Sequence, residues 1–457
     1  MTQEFKPYPE YKDSEQAWLG NIPEHWECVP HRAVFQEIKK QGYTEEPLLS
    51  VTISKGILKQ KDLLANSSKK DSSNLDKAKY KLVDPGDIAY NKMRAWQGAI
   101  GVSKYRGIVS PAYIVVRLRQ DDNSDYFHYL FRTPAFAKEA ERWSYGITSD
   151  MWSLRPEHFK MIYSCMPPKT EQDSIVLFLR SFEQKVARFI RNRQKLIKVL
   201  NEQKQAIINK VVTRGLDPNV KMKASGVEWV GEIPEHWRVV PLRWYISISS
   251  GTFLDGNKIT DNKNIPHLFP VIGGNGILGY ANHYNSESAT IVIGRVGALC
   301  GNVHLITENA WITDNALRVN NIRCFDIEYL SFQMRAMNLN VLANANAQPL
   351  ITGSVVKKQK VVLPTIDEQK NIVIKIKKIS QYFEKAVHTA RKEIDLIKEY
   401  RTRLITDVVT GKIDVRELAK NIDLDADVEE LQEEPIIDEE IVEADDLIDE
   451  EVAVANN

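Results

Sequence analysis

Gly20-Asn-Ile-Pro-Glu-His-Trp26 and Gly231-Glu-Ile-Pro-Glu-His-Trp237 are the same phrase, and the likeness runs on through Val29, Pro30 and Arg32 against Val240, Pro241 and Arg243. The chain is therefore a tandem duplication, and a repeat defines the unit that has to fold and act. A second pair of matches bounds the unit at its far end. Ile208-Asn-Lys-Val-Val-Thr213 aligns with Ile405-Thr-Asp-Val-Val-Thr410, and Glu171-Gln172 with Glu368-Gln369, at an offset of 197 against 211 for the phrase. The stretch between is thus 14 residues longer in the first half. The ends repeat and the middles diverge.

The segment from Glu171 to Thr213 reads as one long helix. With Arg193 and Gln203 as polar interruptions, Ile175, Leu179, Phe182, Val186, Phe189, Leu196, Leu200 and Ile207 follow alternating steps of four and three, the spacing of a coiled-coil seam, and Val211 extends the stripe by a further step of four. Ile372, Ile376, Ile379, Phe383, Ala386, Ala390, Ile397, Leu404 and Val408 hold the same register in the second half, with Glu393 and Tyr400 as its less apolar members. Each helix is roughly 65 Å long at ~1.5 Å per residue. Gly215 and Pro218 end the first, and Gly411 the second.

Between phrase and helix, β-like runs (Asp87–Tyr90, Ala99–Val102, Tyr113–Arg117; Thr290–Ile293, Ala316–Val319) are punctuated by Gly, Pro and Asn. Helices around Tyr126–Ala140 and Ile327–Leu342 are expected to back each sheet. The fold class is α+β: two domains in pseudo-two-fold arrangement joined by two long antiparallel coiled-coil helices. The boundaries expected are 1–168 and 216–365 for the domains, 169–215 and 366–420 for the spacer helices, and 421–457 for an acidic tail. Because the second phrase directly follows the first helix, the order is cyclic if the second helix ends beside the first phrase.

The chain has 457 residues, 43% of them apolar, enough for a core in each half. Residues 1–16 are polar, and the apolar runs fall short of the roughly 20 residues of a membrane span, so a cytoplasmic protein without a membrane partner is expected. Cys28, Cys165, Cys300 and Cys324 stand singly, which indicates neither a zinc site nor a disulfide framework. The nine histidines are scattered without metal-binding spacing. Net charge is zero, yet residues 421–457 hold 16 Asp and Glu and no Lys or Arg. Without them 61 basic residues face 45 acidic ones, and a body near +16 attracts polyanions. The tail itself reads as a disordered solubilising segment, or more sharply as a DNA mimic.

Candidate motifs for chemistry fail on context. Gly274-Asn-Gly-Ile-Leu-Gly279 matches G-x-G-x-x-G, but a further β-like run follows it instead of a helix, so a turn between strands fits better. Ser110-Pro-Ala-Tyr113 resembles an amino-methyltransferase tetrad, with Ala112 where a second proline belongs and Thr313-Asp-Asn-Ala316 at the repeat position. His25, Trp26, His236 and Trp237 are expected to pack the strap.

Loops that mix cations, aromatics and amides are the better candidates for DNA contact, since Arg and Lys suit guanine edges and phosphates while Asn and Gln suit adenine. In the first half these are Lys92, Arg94 and Trp96 in Asn91–Gln97, and Arg142, Tyr145 and Ser149 in Arg142–Ser149. In the second they are Asn275, Arg295, Asn315, Asn346 and Gln348.

The doubled Trp-x-Gly-x-Ile-Pro-x-x-Trp, leading through Pro-x-x-x-Glu-Gln (Pro167–Gln172, Pro364–Gln369) into a long helix, resembles the specificity subunit of type I restriction-modification systems. The likeness covers residues 11–415; one departure is Ser14-Glu-Gln-Ala-Trp18 against Ser225-Gly-Val-Glu-Trp229. The resemblance implies two target recognition domains, each reading half of a split DNA site. It implies helices that set the gap and dock two copies of a DNA adenine methyltransferase subunit, with restriction and translocase subunits beyond them. It implies no catalytic residue, no metal and no cofactor on this chain, S-adenosylmethionine belonging to the methyltransferase subunit and ATP with magnesium to the restriction subunit. Two other classes predict differently: a duplicated methyltransferase or nuclease needs a cofactor loop or acidic metal site, and a free-standing transcription factor needs no helix seams for partners.

Overall fold

Both copies of the phrase fold as a short strand and a turn that deliver a tryptophan to the interior: Asn21–Pro23 pairs with Tyr11–Asp13, and Glu232–Pro234 with Met222–Ala224. Proline at the end of each strand removes an amide donor and closes the pairing there. Trp26 and Trp237 are among the largest fully buried side chains. The computed structural model describes residues 5–65, 77–146, 152–287, 289–297, 299–343 and 349–422. Ser149, Asn346, Gln348 and the acidic segment from 423 onward lie outside these.

The chain divides into two compact units, Met1–Arg193 with Lys392–Asn457, and Gln194–Arg391. The first unit takes both ends of the chain, and Gly411 at the end of the second long helix lies against Pro23 and Trp26. This is the cyclic order expected from the repeat.

In the first unit the central sheet is antiparallel throughout, ordered Phe35–Ile38, Tyr113–Leu118, Ile88–Asn91, Ile100–Val102. The helical segment behind it is two helices, Ser124–Phe131 and Pro134–Arg142, where sequence periodicity suggests one. Thr133-Pro134 makes the break. Proline suits the first helical position, and the Thr133 hydroxyl caps the new helix by accepting from the Phe136 amide at 3.1 Å. Phe35, Phe127, Phe131, Phe136 and Phe159 fill the space between sheet and helices.

The second unit repeats the sheet with Ser247–Ser250, Ala316–Asn320, Thr290–Gly294 and Val303–Ile306, again all antiparallel. Helix Ile327–Ala336 backs it and ends in the 3-10 turn Leu339–Leu342 after Asn338, which takes a left-handed conformation. The G-x-G-x-x-G segment is the turn and outgoing strand of the hairpin Phe269–Gly273/Gly276–Ala281.

The long helices are Lys169–Arg214 and Ile366–Val409, of 46 and 44 residues. In the first unit Phe182 meets Tyr400 edge-on at 5.9 Å, Glu183 pairs with Arg401, and Arg193 lies 2.8 Å from Glu393. Rising numbers on one helix thus meet falling numbers on the other, an antiparallel packing. Within the second unit Lys204 pairs with Glu384 in the same sense. Ile175, Leu179, Val186, Ile372, Ile376, Phe383 and Leu404 are buried, and Phe182, Phe189 and Ile379 half-buried. Further along the first helix the buried stripe moves by one residue: Ile208 and Val212 are buried, whereas Ile207 and Leu196 are 38% and 39% exposed. A strict heptad drifts about 20° per repeat on a straight α-helix, so a seam read at 3.5 residues per turn slips onto the next position after a few repeats.

Each unit ties sheet, strap and helices with the same bonds. The Glu-Gln pair recurs because its glutamine closes the loop before the backing helix. Gln172 accepts from the Asn123 amide and donates to the Pro167 carbonyl (2.8 and 3.0 Å), and Gln369 does likewise with Asp326 and Pro364 (2.8 and 3.1 Å). Tyr126 and Tyr329, both buried, donate from their hydroxyls to the last turns of the long helices, at Val409 and Val212. Such bonds satisfy helix-terminal carbonyls that have no partner within the helix.

Candidate nucleic-acid interface

The described candidate contact residues of each unit gather at one end of its central sheet. In the first unit strand Ile88–Asn91 runs into a tight turn. Asn91 accepts from the Met93 amide at 3.0 Å, Ala95–Gln97 makes a single 3-10 turn, and Gly98 closes it at φ +96°. This turn carries Lys92, Arg94 and Trp96. The Trp96 indole donates to the Met93 carbonyl and packs edge-on against Trp152 at 5.5 Å. The Leu154 amide donates to the Lys92 carbonyl at 2.8 Å, and Tyr145 bridges to Ser153, so the segment bearing Tyr145 is clasped onto the Lys92 turn. Tyr145 is 57% exposed with its ring edge-on to His158. Arg142 stands three residues before it, its exposed guanidinium loosely paired at 3.5 Å with Glu139, which is buried and also accepts from the Trp143 indole.

In the second unit Asn275, Arg295 and Asn315 converge because glycines let three backbones touch. A side chain on Gly294 would sit 2.2 Å from the Gly274 carbonyl, and one on Gly274 would press on the Asn315 carbonyl at 3.3 Å. Arg295 donates from its amide to the Asn315 carbonyl and from its guanidinium to the Ser250 hydroxyl at 3.2 Å. Asn302 reaches Asn275 at 3.5 Å. The Ile351 amide donates to the Arg295 carbonyl at 3.0 Å.

That last bond matches Leu154 to Lys92, and strand register agrees: Asn91 opposes Tyr113 as Gly294 opposes Ala316. Lys92 and Arg295 are thus the same position in the two units. Trp152, Ser250 and Asn302 join the clusters unannounced by any local pattern, since each comes from a segment distant in sequence. The Ser110–Tyr113 tetrad lies beside the first cluster with two of its carbonyls, at Pro111 and Tyr113, accepting from Lys81. Among the described residues no group of three or more His, Cys, Asp or Glu side chains is placed to hold a metal, and no helix is long and apolar enough to cross a membrane.

Residues 234–395 match the model described as the type I restriction modification DNA specificity domain. The EcoprrI specificity subunit of Escherichia coli is 31% identical over 124 residues, 27% of this chain and 31% of that one. The putative MjaX specificity subunit of Methanocaldococcus jannaschii is 25% identical over 430 residues, 87% of this chain and 96% of its own length. The chain is therefore similar to type I restriction-modification specificity subunits over most of its length. A solved chain from work on complex assembly and conformational transition of the type I R-M system has the same fold, with TM-score 0.61 over 86% of this chain and 99% of that one, at 14% identity.

Proposed function

We propose that this chain is a specificity subunit that reads a bipartite, asymmetric duplex site, one half with each unit, and positions methyltransferase subunits on an adenine in each half. The observation that carries the reading is the shared position of Lys92 and Arg295. The same loop clasps the same strand end in both units, yet the side chains presented differ. The first unit offers Lys92, Arg94, Trp96, Arg142 and Tyr145, the second Asn275, Arg295 and Asn315. Like frames with unlike contacts suit two different half-sites.

Residues 1–168 and 216–365 act as the target recognition domains and the long helices as the spacer between them. At ~1.5 Å per residue such helices suffice for half-sites about one turn of duplex apart, ~34 Å. Exposed apolar residues on them, Val199, Ile374 and Leu396, suit docking of two methyltransferase copies. S-adenosylmethionine then resides in those subunits, and ATP with magnesium in any restriction subunit. An adenine is methylated outside the stack, so bound DNA is distorted near each half-site.

Mapping methylated adenines in cells with and without this gene tests the reading. A split motif of two dissimilar words with a fixed unread gap is expected; a continuous or palindromic motif overturns it. Methyl transfer by the purified chain alone, given labelled S-adenosylmethionine and DNA, would instead support a duplicated methyltransferase.

A further inference from the structure

The first unit holds a concentration of lysine around one carboxylate. Glu37, on strand Phe35–Ile38, has its side chain 12% exposed, with the Lys39 ammonium 3.3 Å from one oxygen and the Lys160 ammonium 3.5 Å from the other. Lys81 is anchored nearby by donating to the Pro111 and Tyr113 carbonyls at 3.1 and 2.6 Å. Lys92 directly follows Asn91, the residue paired with Tyr113, and the pKa of Lys81 is lowered by burial first and by the positive charges of Lys39 and Lys92, with Glu37 opposing. Four ammonium groups against two carboxylates, Glu37 and the Glu157 that acts with it on Tyr90, leave a positive excess at the end of the sheet that carries Lys92 and Trp96.

Lysine meets an anion as a flexible point charge and lacks the planar fork that reads base edges, so a lysine group suits phosphate more than sequence. The second unit is built differently at the same place. Ile38 opposes Val115 as Ser249 opposes Arg318, which puts Ser250 where the first unit has Lys39. There the cluster is one arginine bonded to a serine hydroxyl, with amides around it; Lys357 keeps the place of Lys160, since Lys360 opposes Pro241 as Tyr163 opposes Pro30, but Ile248 stands where the first unit has Glu37.

We infer that Lys39, Lys92 and Lys160, spaced by Glu37, form a clamp for backbone phosphates of duplex DNA, and that the complete set, with Lys39 and its carboxylate spacer, belongs to the first unit alone. The inference rests on the DNA-reading proposal above and divides its labour. The first unit supplies most of the sequence-independent attraction, and the second binds more through arginine and amides. Lys81, held by carbonyls, sets the position of its neighbours.

Each phosphate neutralised by a cation adds about 0.9 to the slope of log affinity against log salt. The test is binding of the subunit, assembled with its methyltransferase partner, to a labelled duplex of arbitrary sequence across a potassium chloride series. K39Q/K92Q/K160Q is expected to flatten the slope by roughly 2 to 3, so that about 40-fold less affinity is lost between about 50 and about 200 mM salt. K39R/K92R/K160R is expected to keep the wild-type slope, and R295A to change it by no more than about 1.

An unchanged slope in a K39Q/K92Q/K160Q protein that melts like wild type overturns the clamp. So does equal flattening in the arginine triple, which would mean shape and not charge. If the unaltered complex shows no salt-dependent binding to duplex, the DNA-reading proposal fails as well; if it binds and only the lysine substitutions are silent, the clamp alone fails.

Discussion

The indole of Trp26 donates a 3.0 Å hydrogen bond to the carboxylate of Glu171, and Trp237 makes the same bond to Glu368 at 3.3 Å. This pair joins the two most conspicuous repeats in the sequence, the strap phrase and the Glu-Gln at the start of the long helix. A carboxylate in a helix's first turn is favoured by the helix dipole, and here it also fixes the strap. In the first unit Glu171 further accepts from the Tyr8 hydroxyl at 2.5 Å and lies 2.8 Å from the His25 ring.

Glu171→Ala should therefore be costly. It strands the buried indole and the buried Tyr8 hydroxyl, at about 1–3 kcal/mol for each donor left unsatisfied. Glu368→Ala should cost less, because its site is more open and its indole bond longer. Denaturant titration of both variants checks this; an equal or reversed order would show that Trp26–Glu171 is not the stronger lock.

Gly411 and Gly215 end the two helices in left-handed conformations, at φ +79° and +75°. Alanine at either is strained, but at 411 its Cβ would also stand 2.3 Å from Pro23, while at 215 the nearest atom is Trp237 at 3.1 Å. Gly411→Ala should lower the melting temperature more than Gly215→Ala. Equal shifts would mean that the backbone conformation alone sets the cost.

Acid should weaken the first unit early. His31, enclosed by Phe35, Phe131, Phe136 and Phe159, is pushed by burial down to about 3, and His128, by burial and then by Arg132, to about 4. Unfolded, each takes up a proton near 6.5, so the unfolded state binds more protons below that pH and stability falls as pH drops. The loss is roughly 1.4 kcal/mol per pH unit per histidine, about 4 kcal/mol at pH 5. In the second unit burial pushes Glu368 upward, but bonds from His236, Thr365 and Trp237 outweigh it and hold the carboxyl at about 2. Its contribution is present above the ordinary carboxylate range and is lost only as pH falls toward 2. A denaturation midpoint that stays constant between pH 7 and pH 5 would refute the histidine effect.

Arg94→Ala should weaken recognition of one half-site and Arg295→Ala that of the other, each by about 1–3 kcal/mol if the side chain reads a base. Competition with duplexes altered in one half at a time separates the two. Equal loss at both halves from either variant would contradict the division between units.

Much of this was legible in the chain. The helix ends at Gly215 and Gly411, the strands read at Asp87–Tyr90 and Thr290–Ile293 and found one residue on at Ile88–Asn91 and one longer at Thr290–Gly294, and the cyclic order all follow from repeats, periodicity and punctuation. The Thr133-Pro134 break and the one-residue slip from Ile207 to Ile208 were harder to read. A cap and a proline compete with periodicity, and a straight helix does not keep a seven-residue repeat. Of the contact candidates, those adjacent in sequence, Lys92 with Trp96, needed no structure to be grouped.

By itself the sequence determined what is local or copied: two units, two long helices, a strap before each domain and a Glu-Gln pair at the entry to each helix. Duplication is visible without coordinates because both copies answer to the same packing constraints. Only the tertiary structure decided that Lys92 and Arg295 occupy one position, that Gly274 and Gly294 touch, and that Lys39 and Lys160 share Glu37. Those relations join segments tens to more than a hundred residues apart, through strand register and backbone contact. No periodicity along the chain records which strand ends meet in space.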